Sequence, residues 1–313
     1  MREGSCIGLR SSSIPDKTVL LIAGMGHAEP GVWAANDRAR ALSKLLGLND
    51  RLSVALRGQH LSAIARGELR ESRRIAEENF NLAHSGAQSD HRVGACHNLS
   101  QIYFVLGKLS DSKSYGEEGI QFFDPETFHI SEWPGGNPGP QCLIYASAAA
   151  SVLGEYQVSR EYATRALEHN KLDPKPFSQI TNFAILCIPA IVRRDRDAAL
   201  ELAFHVKEIS LRYGYPVWSE WARMVDGWCE YEEGNISEGM MKMRSGFEAF
   251  AALELRASIG MAGLYEKQNR QDEAIEVLEG IYGWFSGRGE TADTKDARKV
   301  LKDMDWQNAT STG

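Results

Sequence analysis

The chain has 313 residues, 43% of them apolar, and its 42 acidic residues outnumber 35 basic ones to give a net charge of −7. No basic stripe dominates the sequence, which argues against nucleic acid as the main partner. The longest uncharged apolar run, residues 183–192, is half the length of a membrane span, so no membrane segment is predicted either.

The N-terminal part of the chain carries the weakest structural signals. Residues 1–16 are predicted to be disordered or vestigial, and no signal peptide is predicted. A degraded helical hairpin is predicted over residues 17–47, with a helix that starts at Pro30 and is capped by Gly47. The edge formed by its apolar residues 19–25 is predicted to bind a partner or to self-associate.

Only one segment, TVLLIAGMGHAEPG at residues 18–31, looks like a catalytic motif. Its Gly24 and Gly26 could imitate a dinucleotide-binding turn, but Glu29 stands in place of the third glycine. The segment could also imitate the oxyanion-hole strand of an α/β-hydrolase, but no G-x-S-x-G nucleophile motif follows it. An enzyme that uses this segment is kept as the least favoured alternative.

A helix–turn–helix unit then recurs about every 40 residues. The turn positions are spaced by 40, 47, 40, 40 and 35 residues, and they are Gly67, Gly107, Gly154, Arg194, Gly234 and Asn269. Glycine accepts the left-handed backbone that ends a helix, and Arg194 stands where a glycine is expected. Such a period predicts stacked helical hairpins.

A small residue lies five positions after most of the turns, as in tetratricopeptide repeats, where it lets the two helices of a hairpin pack closely. The residues at this position are Ser72, Ser112, Ser159, Gly239 and Ala274. Gly116, Gly119 and Gly246 indicate further close contacts, because glycine is unfavourable inside a helix. The predicted fold is an all-α, α-α superhelix: a tetratricopeptide-like solenoid of about six to seven hairpins over residues 17–304.

Two further segments depart from the repeat. Residues 124–141 contain four prolines and three glycines and are predicted to form an irregular loop. The chain is predicted to close with a short amphipathic helix, N-capped by Thr291, and a polar tail at residues 305–313.

The motifs of common active sites and metal sites are missing from the sequence. There is no G-x-x-x-x-G-K-[ST], H-E-x-x-H or CxxC, and His91 and His97 share no helical face. Four of the five cysteines lie on helical stripes, as free thiols in a reducing cytoplasm would. The arginine clusters at residues 70–74 and 193–196 are interpreted as solvated helix faces. No catalytic, cofactor-binding or metal-binding residue is predicted, and the chain is predicted to be cytoplasmic and not an enzyme.

The richest aromatic stretch, residues 213–231, offers the candidate partner-binding residues. Trp218, Trp221 and Trp228 share one helical stripe with Val225. The stripe is interpreted first as repeat core, with groove binding by one or two rings as the alternative, because tryptophan is common among interface hot spots. Tyr145 of an earlier hairpin completes the predicted partner-binding set.

Several segments together resemble one known region. They look like the C-terminal tetratricopeptide-like region of bacterial class III adenylate/guanylate cyclases with a predicted signalling ATPase module. The segments are GELRESRRIAEE, FDPETFH…GGNPGPQCLIYASAAASVLG, GYPVWSEWARMVDGWCEYEEGNISEGMMKMRSGFEAF and YGWFSGRGETADTKDARKVLKDM. The resemblance spans residues 30–304 and implies a sensory or regulatory role. The family's catalytic residues lie in upstream domains without a counterpart in this sequence.

The sequence therefore predicts a non-catalytic, protein-binding regulatory scaffold. The resemblance implies that its partner is a cyclase or a signalling ATPase module. A small-ligand or peptide sensor that uses the solenoid groove is the alternative.

Overall fold

A computed structural model describes residues 30–85, 89–126, 128, 136–171, 173–267, 270–285 and 292–311. These residues form thirteen α-helices and no β-strand, so the fold is the predicted all-α helical repeat. The chain divides into two compact units, unit 1 at Met1–Leu202 and unit 2 at Ala203–Gly313.

Unit 1 contains eight of the described helices. They are α1 Pro30–Leu46, α2 Asn49–Ala65, α3 Leu69–His84, α4 Ser89–Val105, α5 Leu109–Gln121, α6 Pro138–Val152, α7 Tyr156–Lys171 and α8 Pro176–Val192. Helix α9, Arg196–Tyr213, spans the boundary between the units. Unit 2 continues with α10 Pro216–Glu232, α11 Ile236–Lys267, α12 Gln271–Phe285 and α13 Ala292–Ser311.

The hairpin turns follow the predicted pattern. Gly67, Gly107, Gly154 and Gly234 all have positive φ angles, between 72° and 93°. Arg194 has a φ of 55°, which confirms that it occupies a glycine position. Gly214 has a φ of 73° at the end of α9, a turn that the repeat spacing does not predict.

Reciprocal serine hydrogen bonds join the two helices of hairpins α4–α5 and α6–α7. Ser100 Oγ donates to the carbonyl oxygen of Ser112 at 2.8 Å, and Ser112 Oγ donates back to the Ser100 carbonyl at 2.7 Å. Ser147 and Ser159 form the same pair at 2.7 Å and 2.8 Å. In these two hairpins Ser112 and Ser159 therefore do more than allow close packing, because their hydroxyl groups fix the register of the two helices.

The same crossing point has different chemistry in hairpin α10–α11. A Cβ atom added to Gly239 would lie 2.6 Å from the Gly227 carbonyl oxygen and 2.6 Å from the Tyr231 nitrogen. Gly246 lies against the backbone of Glu220, with 3.0 Å between its added Cβ and that carbonyl oxygen. These contacts confirm that Gly239 and Gly246 serve close helix packing. Ser72, Ser112, Ser159 and Ala274, which occupy the same repeat position, are also buried.

The first helices of successive hairpins form the interior of unit 1. Helix α2 packs on α4, α4 packs on α6, and α6 packs on α8. Helix α6 also contacts α5 and α7, and its residues Pro138–Ser151 are all buried. The predicted close contact of Gly116 and Gly119 is made here, because their added Cβ atoms would lie 2.7 Å and 2.5 Å from the O and Sγ atoms of Cys142.

Two sequence predictions differ from the structure at helix ends. Helix α6 begins at Pro138, inside the predicted loop of residues 124–141, because proline is tolerated in a first turn where amide donors lack helical partners. The side chain of Asn137 caps it by accepting from the Gly139 amide at 3.0 Å. Helix α13 continues to Ser311, through most of the predicted polar tail.

Helix α11 also differs from the prediction. It runs for 32 residues without a break, whereas the repeat period predicts a hairpin boundary near Leu253. No glycine or proline stands between Phe247 and Ile259, so nothing in the local sequence ends the helix. The sixth repeat unit therefore has no separate first helix.

The interpretation of Arg193 as solvated is wrong. Its side chain is 4% exposed, and its Nη1 atom donates to Ser159 Oγ at 2.7 Å. Arg193 thus reaches back to Ser159 of the preceding hairpin, while Asp195 of its own turn lies 3.8 Å from its Nη2 atom. Arg74, in contrast, is exposed and pairs with Glu71 at 2.6 Å, as a solvated helix face would.

Some predictions lie outside the described residues. They concern the disordered region at 1–16, the apolar edge at 19–25, the segment 18–31 up to the start of α1, the turn at Asn269 and the cap at Thr291. Within the described part, α1 begins at Pro30 and Gly47 ends it with a φ of 66°, as predicted.

Candidate functional site: apolar surfaces and a buried polar cluster

The predicted partner-binding residues lie in different units. Trp218, Trp221 and Trp228 are half-buried on α10 of unit 2, and Val225 between them is buried. The stripe therefore contributes partly to the core and keeps part of each ring accessible. Tyr145 lies in unit 1, is buried, and accepts a hydrogen bond from Gln101 Nε2 at 2.8 Å. Partner binding by these four residues stays a prediction.

Helix α11 presents an apolar stripe that the sequence analysis did not single out. Ile236, Met240 and Phe247 are 54%, 58% and 49% exposed and lie at positions i, i+4 and i+11, which share one helical face. The face that packs on α10 is a different one, because it carries Gly239 and Gly246. We name Ile236, Met240 and Phe247 the α11 stripe.

One charged pair lies beside the α11 stripe, with Arg244 3.6 Å from Glu248. Lys242, which contacts Glu230 and Glu238, lies on the opposite side of the helix. Exposed apolar side chains with a polar surround are typical of protein–protein interfaces, in which methionine and aromatic residues are enriched. The methionine-rich segment GMMKM at residues 239–243 is the one sequence feature that could indicate this surface. From the sequence alone, however, exposed methionines cannot be distinguished from methionines of the repeat core.

A second apolar surface lies on α1 in unit 1. Leu42, Leu45 and Leu46 occupy positions i, i+3 and i+4, and Leu45 and Leu46 are 81% and 64% exposed. Leu48, just after the helix, is exposed as well. This leucine edge is a further candidate for contact with a partner or with a second copy of the chain.

A buried polar cluster occupies the interior of unit 1. Arg57 on α2 is fully buried; its Nη1 atom donates to His97 Nδ1 at 2.5 Å and to Asn98 Oδ1 at 3.1 Å. Its Nη2 atom donates to Gln141 Oε1 at 2.9 Å. One guanidinium therefore bonds side chains from α4 and α6, and this ties together the first helices of three hairpins. Burial lowers the pKa of Arg57 to about 10, so the group stays charged at neutral pH.

The two histidines of this cluster are neutral at pH 7. Burial lowers the pKa of His60 to about 4, and burial together with the charge of Arg57 lowers the pKa of His97. His60 Nδ1 lies 2.9 Å from Ser72 Oγ, and its Nε2 lies 3.1 Å from Gln101 Oε1. Both rings therefore act as neutral hydrogen-bonding groups of the packed interior. The sequence indicates an ordinary surface or core residue at His97, and the structure places it in the core.

The described residues contain no candidate metal-binding site. No group of three or more His, Cys, Asp or Glu side chains that could hold a metal ion occurs among them. Cys96, Cys142, Cys187 and Cys229 are free and buried, as predicted for helical stripe positions. Burial raises the pKa of the Cys142 thiol to about 12, which leaves it unreactive. None of the described helices is both long and apolar enough to cross a membrane.

Comparison with known proteins does not assign the chain to a family. No protein-family model matches the chain, and no curated protein matches it.

Proposed function

We propose that this protein is a non-catalytic protein-interaction and regulatory scaffold, and that the α11 stripe is its partner-binding face. The observation that carries the proposal is the exposure of Ile236, Met240 and Phe247 on one side of a helix whose other side is packed. Burying these three side chains against a partner removes a substantial apolar area from water, which favours association. The half-buried rings of Trp218, Trp221 and Trp228 on α10 belong to the same unit, and they add to the apolar surface that a partner could contact.

The identity of the partner rests on sequence resemblance alone. The likeness to the regulatory region of cyclases with a signalling ATPase module suggests such a module as the partner, in a bacterial cytoplasm. We therefore expect the purified chain neither to hydrolyse ATP or GTP nor to form cyclic nucleotides. Turnover that copurifies with the protein and exceeds that of a heat-treated sample would contradict the non-catalytic role.

The α11 stripe is tested by affinity capture from native lysate with two charge variants. Met240→Glu with Phe247→Glu places carboxylates in the stripe, whereas Leu45→Glu with Leu46→Glu makes the same change in the leucine edge. All four positions are exposed, so circular dichroism is expected to show an unchanged fold. Quantitative mass spectrometry should show a partner that the stripe variant loses and the leucine-edge variant keeps. Capture of the same proteins by wild type and stripe variant would refute the assignment.

The leucine edge is tested separately by light scattering. If it mediates self-association, the Leu45→Glu/Leu46→Glu variant will be smaller in solution than the wild type at the same concentration. If the wild-type protein is monomeric, the leucine edge does not mediate self-association.

A small-ligand or peptide sensor is the second candidate function. The observation that favours it is a cavity of about 70 Å³ in unit 1, which lies between aromatic side chains and a buried carboxylate. A thermal-shift screen against metabolites would separate this role from protein binding alone.

A further inference from the structure

Two methionine side chains on α11 are exposed to solvent. Met240 and Met241 are 58% and 57% exposed, whereas Met224 and Met243 are half-buried and Met304 is fully buried. Of the methionine side chains that the structure describes, these two are the exposed ones. The described cysteines are all buried. Among the described sulfur atoms, an oxidant in solution therefore reaches the two exposed thioethers first.

The two exposed methionines are neighbours in sequence but lie on different faces of α11. Met240 belongs to the α11 stripe, with Ile236 four positions before it and Phe247 seven positions after it. Met241 lies about 100° further round the helix, on the side of Glu248. The chain thus presents two thioethers of nearly equal exposure, one inside the apolar stripe and one beside a charged side chain.

The packing of α11 on α10 fixes which side chains the stripe presents. Gly239, directly before Met240, crosses α10 so closely that an added Cβ atom would lie 2.6 Å from the Gly227 carbonyl oxygen. Gly246 makes a second close contact, with 3.0 Å between its added Cβ atom and the Glu220 carbonyl oxygen. A rotation of α11 about its axis would push the side chains next to these glycines into the backbone of α10. Met240 therefore stays in the stripe when the polarity of its side chain changes.

We propose that Met240 is an oxidation site, and that its conversion to the sulfoxide weakens the binding of a partner to the α11 stripe. Hydrogen peroxide supplies the oxygen atom. Its O–O bond breaks, an S–O bond forms with the electron pair of the thioether sulfur, which is oxidised, and the peroxide leaves as water. The sulfoxide is polar, and burying its oxygen against an apolar partner costs free energy unless a donor meets it.

This inference rests on the proposed function, because it assumes that the stripe is the partner-binding face and adds how that face is regulated. The modification is reversible. Two thiols reduce the sulfoxide to the thioether, the thiols become a disulfide, and the oxygen leaves as water. Oxidation of Met241 is expected to leave partner binding unchanged, because it adds a polar group on the side of the Arg244–Glu248 pair.

The first measurement maps the oxidised positions in the full chain. After limited treatment with hydrogen peroxide, peptide mass spectrometry should find sulfoxide at Met240 and Met241 at similar rates. Met304 should react at least about tenfold more slowly, because burial excludes the oxidant. Circular dichroism should show an unchanged helix content. Strong protection of Met240 relative to Met241 would overturn the proposal.

Leucine and glutamine variants then assign the effect to one face. The probe is native lysate without added thiol, and quantitative mass spectrometry compares the proteins that each chain captures before and after peroxide treatment. Oxidation of the wild type should reduce the captured amount about tenfold or more. Met241→Leu should show the same loss and Met240→Leu none, because leucine has no thioether and fills a similar volume. Each variant is compared with its own untreated form.

A polar substitution tests the same site without an oxidant. Met240→Gln places an amide in the stripe and should lose the proteins that oxidation removes, whereas Met241→Gln should keep them. Methionine sulfoxide reductases for both epimers, supplied with a thiol reductant, should restore capture by the oxidised wild type.

The results separate this inference from the proposed scaffold role. If the Met240→Glu/Phe247→Glu variant loses captured proteins while the oxidised wild type keeps them, the stripe binds partners and the oxidation switch is refuted. If that charge variant also keeps them, both proposals fail. Equal losses for Met240→Leu and Met241→Leu after peroxide treatment would overturn the assignment to Met240.

Discussion

Arg194 is the one described non-glycine residue with a positive φ, and its replacement by glycine should stabilise unit 1. The φ of 55° places it in the left-handed region, where a Cβ atom approaches the following carbonyl oxygen. The amide of Arg194 donates to the Ile191 carbonyl oxygen at 2.9 Å, and the Asp195 amide donates to the Ala190 carbonyl oxygen at 2.9 Å. Glycine keeps both bonds, because they use only the backbone.

The size of the effect follows from two opposing contributions. Left-handed backbone costs a non-glycine residue about 1–2 kcal/mol, and glycine relieves that cost. Glycine also gives the unfolded chain more freedom, which offsets about 0.5–1 kcal/mol of the gain. The expected result for Arg194→Gly is therefore a net stabilisation of about 0.5–1 kcal/mol.

Urea unfolding followed by circular dichroism measures this difference. Arg194→Asn should fall between glycine and arginine, and Arg194→Val should be the least stable, because β-branched residues resist positive φ. Two controls accompany the series. Gly154 has a φ of 82° with no atom within 4 Å of an added Cβ, so Gly154→Ala isolates the backbone cost. Arg165→Gly, inside α7, should destabilise by about 1 kcal/mol instead.

The order of the variants decides whether the reasoning holds. Equal stability of Arg194→Val and Arg194→Gly would show that backbone conformation does not limit stability at this turn. A neutral Gly154→Ala would lead to the same conclusion from an independent hairpin.

Three further predictions concern pH and packing. The pKa of His60, lowered from 6.5 to about 4, stabilises the fold above pH 6.5, and this stability is lost as the pH falls towards 4. Urea unfolding at pH 5 should thus give about 2 kcal/mol less stability than at pH 7.5 from this residue, and His60→Gln should flatten that part of the profile. Gly239→Leu should lower the free energy of unfolding by about 1–3 kcal/mol, while Glu168→Leu on an exposed face should stay within about 0.5 kcal/mol; equal losses would mean that the repeat phase is wrong. Asp173, whose pKa is raised by burial, penalises the fold once ionised, so Asp173→Asn should be the more stable form at pH 7. That advantage should vanish as the pH falls through the raised pKa, and a difference that persists at pH 3 would contradict this cause.

The sequence predicts those features of the fold that depend on local backbone chemistry. Turns with a left-handed backbone favour glycine. The turns at Gly67, Gly107 and Gly154 can therefore be predicted from the local sequence without knowledge of tertiary contacts. Arg194 could be placed among them because the period of the other turns leaves one gap. The small residues at the helix crossings follow from the same period.

Features that depend on distant partners are less accessible from the sequence. Arg57 and His97 are 40 residues apart, and nothing in their local sequence shows that one donates to the other in a buried interior. The sequence does not distinguish Arg193 from the exposed arginines, because its acceptor, Ser159, belongs to another hairpin. At α11 the period and the local sequence disagree, because the period predicts a boundary near Leu253 while no helix breaker stands there, and the structure follows the local sequence.

The continuity of α11 has a mechanical consequence. A helix of 32 residues is about 48 Å long. It packs on α10 at Gly239 and Gly246 near its start, and it also contacts α12 and α13. Elsewhere a turn separates neighbouring repeats, and an inserted residue can be absorbed there. In α11 an insertion near Leu253 would rotate everything downstream by about 100° relative to α10, because each residue advances the helix by that angle. The continuity of α11 therefore fixes the angular relation between the part of the helix that packs on α10 and the part downstream of Leu253.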